Sequence, residues 1–169
     1  KKIKDLEYLV LNQNKNNQFS HYSNLDDQKE VFEIRKAGLN ILMSMKGDKK
    51  PVAFIEDCAV SLDHLAEYTA RLKEIFKKYN TSGMFYAHAS VGTLHIRPVL
   101  NMKSDKDIKN MRSISQEAFE MVKDYKGSHS GEHGDGIVRS EFHEMMFGKK
   151  IINAFEEIKD TFDSKNLLN

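Results

Sequence analysis

Ten residues in the last third of the chain, Gly127-Ser-His-Ser-Gly-Glu-His-Gly-Asp-Gly136, include four glycines, two histidines and two acidic residues. Glycine loses more backbone freedom on folding than any other residue, so this density predicts a backbone that adopts positive φ angles or passes close to a ligand. Glu132 and His133 are neighbours in this glycine loop, and neighbouring side chains of an extended chain point to opposite faces. The chain must turn sharply to aim both at one site, and Gly131 and Gly134 flank the pair. The alternative interpretation is a polar surface loop.

At 169 residues the chain is long enough for one domain with a hydrophobic core. The net charge of +1 and the scattered basic residues argue against nucleic acid as a partner. No apolar run reaches the ~18 residues that a membrane span needs. The single cysteine, Cys58, excludes a disulfide within the chain, which favours a cytoplasmic location, with peripheral attachment at the inner membrane face as the alternative. Because the chain begins at Lys1 without a methionine and ends at Asn169 after an amphipathic helix, we expect it to be a piece of a longer polypeptide.

The order of helical and strand periods along the chain predicts an α+β fold. We expect a ferredoxin-like antiparallel sheet with helices packed on one side, plus extra helices at both ends. A buried strand is predicted from Pro51 to Val60, and residues 84–100 are predicted to form a hairpin. The main predicted helices begin at polar residues, namely Asn24, Asp63, Ser104 and Lys149.

Several of these predictions concern single residues. Asp63 and Ser104 are expected to cap their helices, and Ser104 is expected to form a capping box with Asp107. Gly127 is expected to end the helix that Ser104 begins, and Ile137-Val-Arg139 is expected to form a brief strand. The apolar residues of the last helix have the spacing of a buried face: Ile151, Ile152, Phe155, Ile158 and Phe162.

Two histidines of the predicted hairpin, His88 and His95, lie on opposite arms, with Gly92 at the turn. Folding the arms together brings both imidazoles to the same end of the sheet. Two convergent histidines and a carboxylate form a common site for a divalent metal, with positions left open for water or substrate. Glu132 is the obvious third ligand. The alternative is that both histidines are half-buried strand residues hydrogen-bonded to the backbone.

His133 is the natural general base, because imidazole titrates near neutral pH and can accept a proton from a substrate hydroxyl. Asp135 is expected to cap residues 137–139, and the alternative is that it orients the imidazole of His133. Arg35 is a candidate to bind a substrate carboxylate through two hydrogen bonds, or else it pairs with a structural acid. Arg97 is a second candidate for the same task. The remaining histidines of this region, His129 and His143, are expected to be structural or exposed.

Four segments resemble the C-terminal, substrate-side domain of the FAD-linked oxidases and dehydrogenases, a family related to vanillyl-alcohol oxidase. Ser130-Gly-Glu-His-Gly-Asp-Gly136 is similar to the family's Ser-x-Glu-His-Gly-x-Gly signature, which is the specific match. Ala87-His-Ala-Ser-Val-Gly-Thr-Leu-His95 resembles its Gly-His-x-Gly-Asp-Gly-Asn-Leu-His segment, and Phe32-Glu-Ile-Arg-Lys36 resembles a helix of the family. Leu167-Leu-Asn169 resembles the start of its Leu-Asn-Pro-Gly-Lys tail.

The resemblance implies that residues 31–169 form the substrate domain of an FAD-dependent 2-hydroxy acid dehydrogenase, preceded by an extension of residues 1–30. It also implies a ferredoxin-like fold and a separate N-terminal domain that holds most of the FAD. It assigns His88, His95 and Glu132 as ligands of a divalent ion such as Zn, Mn or Fe. His133 would take the hydroxyl proton of a D-2-hydroxy acid while the α-hydrogen leaves as hydride to flavin N5, and Arg35 would bind the substrate carboxylate.

The chain departs from the family pattern in places. The hairpin has Ala87, Ser90, Val91 and Thr93 where the family has Gly, Gly, Asp and Asn. Hydroxyglutarate dehydrogenases place a substrate-binding lysine where this chain has Ile55, which argues against a five-carbon diacid substrate. The hairpin sequence resembles that of long bacterial members of the family that carry an iron–sulfur segment. The resemblance therefore adds an iron–sulfur domain as a candidate partner. The alternative functions are a free-standing regulatory domain that binds a ligand or metal, and a metal-dependent hydrolase.

Overall fold

The computed structural model describes residues 1–14 and 16–168, so Asn169, the last residue of the predicted tail motif, lies outside the described residues. The chain divides into two compact units, residues 1–44 and 45–169. The first unit contains helix α1 (Lys2–Gln13) and helix α2 (Leu25–Met43). As predicted, Asn24 caps α2, because its Oδ1 accepts a hydrogen bond of 2.8 Å from the backbone N–H of Asp26.

The second unit carries a four-stranded antiparallel sheet and the remaining helices. Its elements follow in the order β1 (Lys50–Pro51), β2 (Cys58–Ala59), α3 (Leu65–Lys78), β3 (Gly83–His88), β4 (Thr93–Leu100), α4 (Asp105–Asp124), α5 (Gly136–Arg139), α6 (His143–Phe147) and α7 (Lys149–Phe162). None of the helices in the described residues combines the length and the apolar character of a membrane-spanning segment.

Strand β4 lies at the centre of the sheet. Strand β3 pairs with one edge of β4, from His88↔Thr93 to Gly83↔Pro98. Strands β1 and β2 pair with the other edge, and Ser128 extends the sheet by bridging to Ala59 of β2. The order β2-α3-β3-β4-α4-Ser128 is the strand and helix order of a ferredoxin-like unit. The predicted α+β, ferredoxin-like fold is therefore confirmed.

The hydrophobic core joins the sheet to α3 and α4. Leu94 and Ile96 of β4 are buried in it. Because side chains alternate along a strand, His95 and Arg97 lie on the opposite face of the sheet. The helices contribute Tyr68, Leu72 and Phe76 from α3, and Ile114, Ala118, Phe119 and Val122 from α4.

The predicted strand from Pro51 to Val60 was wrong in its middle. Only Lys50–Pro51 and Cys58–Ala59 are strand residues. The N–H groups of Val52 and Asp57 still donate to carbonyls of β4, and residues 53–56 leave the ladder. Asp57 has a positive φ of 81°, a conformation that aspartate adopts more readily than most residues. This bend places the side chain of Asp57 at the glycine loop.

Three local predictions were also wrong. Asp63 lies inside a 3₁₀ turn that precedes α3 and makes no side-chain cap. Ser104 occupies the N-cap position of α4 without a capping hydrogen bond, and Asp107 instead accepts a 2.8 Å hydrogen bond from the backbone N–H of Asn101. Residues 136–139 form helix α5 and not a strand.

Gly127 is needed for close packing and not for a left-handed turn. The residue with positive φ at the end of α4 is Lys126, at 54°, and its N–H donates a 2.8 Å bond to the carbonyl of Lys123. A Cβ on Gly127 would lie 2.3 Å from the carbonyl oxygen of Ala59 in β2. Only glycine therefore allows the chain to rejoin the sheet here. Within the loop, Gly134 and Gly136 have the positive φ angles that the glycine density predicts.

Helix α7 does not bury the apolar face that its sequence predicts. Phe155 is 47% exposed and Ile158 is 58% exposed. None of the described residues of this helix is buried.

Cys58 is fully buried, and its thiol lies against the carbonyl oxygens of Ile55 and His129. Burial raises the pKa of this thiol to about 12. Because the thiolate is the reactive form, we expect iodoacetamide to leave Cys58 unmodified in the folded protein at about pH 8, near the ordinary thiol pKa. Mass spectrometry checks this against the same reaction in denaturant. Equal labelling rates in the two conditions would contradict the buried position.

Candidate active site

The glycine loop is built around the fully buried carboxylate of Asp57. The backbone N–H of Glu132 donates to both carboxylate oxygens at 3.1 and 3.0 Å, and the N–H of His133 donates to Oδ2 at 2.8 Å. The Ser130 hydroxyl lies 3.2 Å from the same oxygen, and Gly131 N–H donates to the Asp57 carbonyl at 2.7 Å. These bonds produce the sharp turn that the sequence requires at Glu132 and His133.

The charge of Asp57 is stabilised by the loop that it holds. Burial by itself would raise the pKa of this carboxyl. The N–H groups of Glu132 and His133, the nearby imidazole of His133 and the Ser130 hydroxyl together outweigh burial and hold the pKa below its ordinary value. Asp57 is therefore ionised at neutral pH. Sequence reasoning missed its role, although an acidic pair directly after a short apolar run was a visible signal.

Three imidazole nitrogens face one oxygen of Glu132. The distances to Glu132 Oε1 are 3.1 Å from His95 Nε2, 3.6 Å from His88 Nε2 and 3.8 Å from His133 Nε2. The rings of His95 and His133 stack with centroids 5.0 Å apart and planes 12° apart, while His88 meets His95 edge-on at 5.1 Å. The structure thus brings together the four residues that the sequence singles out, and we call them the histidine–glutamate cluster.

These spacings fit the ligands of a single metal ion. Atoms about 2.1 Å from a tetrahedral ion lie roughly 3.4 Å from one another, close to the 3.1 and 3.6 Å that separate Glu132 from His95 and His88. The residues whose donor atoms all lie within 4.8 Å of one another are Asp57, His95, Glu132 and His133, and His88 is not in this group. Asp57 is the weaker ligand candidate, because hydrogen bonds from the loop already occupy its oxygens. Burial lowers the pKa of His95, which favours the neutral imidazole that binds metals.

Glu56 forms a second layer behind the cluster, which sequence reasoning also missed. Its carboxylate binds Arg97 through two hydrogen bonds, of 2.6 and 3.0 Å. Its Oε1 lies 3.9 Å from His95 Nδ1 and 4.0 Å from His133 Nδ1. Arg97 is thus engaged by a structural acid, which argues against its predicted role in binding a substrate carboxylate.

Both predicted roles of Asp135 were wrong. Its side chain makes no capping bond to α5. It lies 3.3 Å from His129 Nε2 and 2.9 Å from His143 Nε2. His129 is fully buried, as a structural residue would be, and His143 is partly buried.

Arg139 holds the glycine loop through hydrogen bonds, a role that was not predicted. Its guanidinium donates hydrogen bonds to the backbone carbonyls of Glu56, His129 and Gly134. The side chain is only 10% exposed, so this cation is a structural part of the site.

The two remaining predicted residues are placed as follows. Arg35 lies on α2 in the first compact unit, and its role stays a prediction. Ile55 is fully buried in the hydrophobic core, so the residue at this position cannot contact a substrate. Ile55 therefore does not argue against a five-carbon diacid substrate.

Comparison with known proteins places the chain in a family. The sequence model of the FAD linked oxidases, C-terminal domain, matches residues 5–169. The chain is 34% identical over 145 residues to D-2-hydroxyglutarate dehydrogenase of Pantoea ananatis, covering 86% of this chain and 14% of that protein. It is 28% identical over 137 residues to the glycolate oxidase subunit GlcD of Bacillus subtilis (81% and 28%), and 26% identical over 142 residues to a mitochondrial D-lactate dehydrogenase [cytochrome] of Arabidopsis thaliana (84% and 25%).

The chain spans about one seventh of the length of the D-2-hydroxyglutarate dehydrogenases of Pantoea ananatis, Haemophilus influenzae and Escherichia coli, since coverage of those relatives is 14%. The match includes the hairpin with its two histidines and the whole glycine loop. The chain belongs to the family of FAD linked oxidases, in which it is a C-terminal domain.

Proposed function

We propose that this domain forms the substrate side of an FAD-dependent dehydrogenase that oxidises a D-2-hydroxy acid to the 2-oxo acid. The observation that carries the proposal is the convergence of three imidazole nitrogens on one oxygen of Glu132, at 3.1 to 3.8 Å. The names of the relatives, which include hydroxyglutarate, glycolate and lactate enzymes, support the same class of substrate.

His88, His95 and Glu132 would hold a divalent ion at the turn end of the hairpin. When bound, such an ion lowers the pKa of a coordinated hydroxyl group, and FAD, when bound, accepts a hydride. Two nitrogens and one carboxylate leave positions free for a substrate, as in other catalytic metal sites. The side chains of His88 and Glu132 are 46% and 48% exposed, so a small molecule can reach them.

His133 is the residue that we assign to move the proton. Its Nε2 faces the cluster, 3.8 Å from Glu132, and would accept the proton of the substrate hydroxyl. Its Nδ1 lies 4.0 Å from carboxylate oxygens of both Glu56 and Asp57. The stacked ring of His95 keeps the imidazole plane in position.

Four further assignments stay predictions. Arg35 is proposed to bind the substrate carboxylate, and residues 31–169 are proposed as the substrate domain. An FAD-binding domain is the proposed partner, and the iron–sulfur segment remains a prediction without further support.

The proposed function is tested with the full-length gene product carrying its flavin. We expect anaerobic mixing with a panel that includes D-2-hydroxyglutarate, D-lactate and glycolate to bleach the flavin absorbance, while the L-enantiomers of the chiral acids leave it unchanged. A gene product without flavin that still binds metal would instead favour the regulatory domain. Metal-dependent ester hydrolysis without flavin reduction would favour the hydrolase.

His88→Ala is expected to remove one equivalent of bound zinc from the protein. His88 is half exposed, and its loss leaves the core intact while it deletes one ligand of the proposed site. We expect the affinity of this site to fall by at least ~100-fold, the upper range for loss of a residue that merely supports a ligand. Equilibrium dialysis with elemental analysis measures the change, with the exposed His21 replaced by alanine as the matched control. Unchanged zinc content in His88→Ala would remove this residue from the ligand set.

A further inference from the structure

A second group of metal-binding side chains lies outside the histidine–glutamate cluster. His129 enters from the start of the glycine loop, Asp135 from its end, and His143 is the first residue of α6. His129 Nε2 lies 3.3 Å from Asp135 Oδ1, and His143 Nε2 lies 2.9 Å from Asp135 Oδ2. The two imidazole rings are 5.5 Å apart and nearly perpendicular. We call these three residues the His–Asp–His cluster.

The polar atoms of this cluster are close together but do not form hydrogen bonds. His129 Nε2, His143 Nε2 and Asp135 Oδ1 are all buried side-chain atoms without a hydrogen-bond partner. The ring N–H directions therefore do not point at the carboxylate, despite separations of 2.9 and 3.3 Å. Buried polar atoms without partners are rare in folded proteins and call for an explanation such as a bound ion.

Ligands of one ion have this arrangement. Each donor aims at the metal and not at its neighbour, and donors about 2.1 Å from a tetrahedral ion are separated by roughly 3.4 Å. The three donor atoms all lie within 4.8 Å of one another. Two imidazoles and one carboxylate are ligands that suit zinc and neighbouring first-row metals.

We propose that His129, Asp135 and His143 bind a second divalent transition-metal ion, of the zinc class, with a structural role. The ion would join the two ends of the glycine loop to α6. It would thereby hold the loop that carries Glu132 and His133, without contact with a substrate.

The surroundings fit a closed structural site. The ring of Phe119 lies 5.4 Å from that of His129, and Phe147 packs against both imidazoles, at 5.4 and 5.6 Å. The side chain of His129 is 0% exposed, whereas those of Asp135 and His143 are 19% and 22% exposed. An ion can therefore enter from the side of His143.

Arg139 lies near the carboxylates of both Asp57 and Asp135. Its guanidinium lies 3.9 Å from Oδ2 of Asp57 and 3.9 Å from Oδ1 of Asp135. The Nε of Arg139 is itself without a hydrogen-bond partner. The competing arrangement is one in which Asp135 serves only as the counter-ion of Arg139 and no metal binds.

Zinc binding to the full-length protein tests the proposal without reference to catalysis. After removal of metals with a chelator and reloading with zinc, we expect His143→Gln and Asp135→Asn each to bind one equivalent less than the wild type. The exposed-residue control His21→Ala should bind the wild-type amount. His88→Ala should lose a different equivalent, so the double variant His88→Ala/His143→Gln should lose two. Loss of the His88 equivalent alone would uphold the first site and overturn the second.

A direct measurement covers variants that fail to fold. Anomalous diffraction at the zinc edge from wild-type crystals should give a peak close to 2.1 Å from His129 Nε2, from His143 Nε2 and from an Asp135 oxygen. Absence of that peak in crystals grown with excess zinc would overturn the proposal. A hydrogen bond from Arg139 Nε to Asp135 in the same map would identify the competing arrangement.

Discussion

Replacement of Asp57 by asparagine is expected to lower the free energy of unfolding of this chain by about 3 kcal/mol, the size expected when one partner of a buried charged network is removed. The carboxylate is fully buried and accepts the N–H groups of Glu132 and His133. An amide of the same shape keeps only one acceptor oxygen and places two N–H donors in the site. Asparagine tolerates the positive φ of this position, so the change tests the side chain and not the backbone.

Urea unfolding of the two proteins measures this effect, with Asp63→Asn as the matched control. Asp63 is an exposed aspartate six residues later, and its replacement should change stability by less than ~0.5 kcal/mol. The difference between wild type and Asp57→Asn should also depend on pH. Since the folded-state pKa of Asp57 lies below its ordinary value of 3.8, the stabilisation is present above the ordinary pKa and is lost as the pH falls through the folded-state pKa. A pH-independent difference close to that of the control would show that Asp57 does not hold the loop.

Replacement of His133 by alanine is expected to lower the rate of flavin reduction in the full-length protein by a factor of about 100 to 10,000, the usual contribution of a general base. The imidazole has one nitrogen toward the cluster and the other 4.0 Å from two carboxylates, so no other described side chain in the cluster is placed to take the proton in the same way. The ring is 44% exposed, and its loss should leave the fold intact.

Stopped-flow measurement of the flavin absorbance gives this rate, with His21→Ala as the control for a histidine outside the site. Zinc content should stay at the wild-type level in His133→Ala, because the proposed ligands are His88, His95 and Glu132. A reduction rate equal to that of the control would remove His133 from the proton transfer. A loss of zinc with the rate would instead make His133 a ligand.

The parts of the site that could be predicted from the sequence depend on local geometry. His88 and His95 come together because an antiparallel hairpin with its turn at Gly92 aligns the two arms, and both the turn and the alternation of side chains can be read from a short segment. The same holds for the helices that carry the core, whose inner faces follow the period of 3.6 residues.

The parts that could not be predicted depend on contacts between distant residues. The apolar run before Glu56 has the pattern of a continuous strand. The chain bends at Asp57 because the N–H groups of Glu132 and His133 in the glycine loop need its carboxylate as an acceptor, and these residues are distant in the sequence. The sequence predicts a role for Asp135 toward residues close to it in the chain. Its carboxylate instead contacts His143, because the intervening helix and turn bring His143 back to it. In α7, the spacing of Phe155 and Ile158 indicates an apolar face but carries no information on what covers it.

The hydrogen bond between Glu132 and Asp57 spans 75 positions of the chain. Closing so long a segment is slow compared with forming a hairpin, so the geometry at Glu132 and His133 should arise only after the sheet is assembled. In small zinc-dependent domains, by contrast, ion uptake and chain collapse are one event. We expect this protein to mature in the opposite order, with the polypeptide reaching its native topology first and the ion at the hairpin loading afterwards.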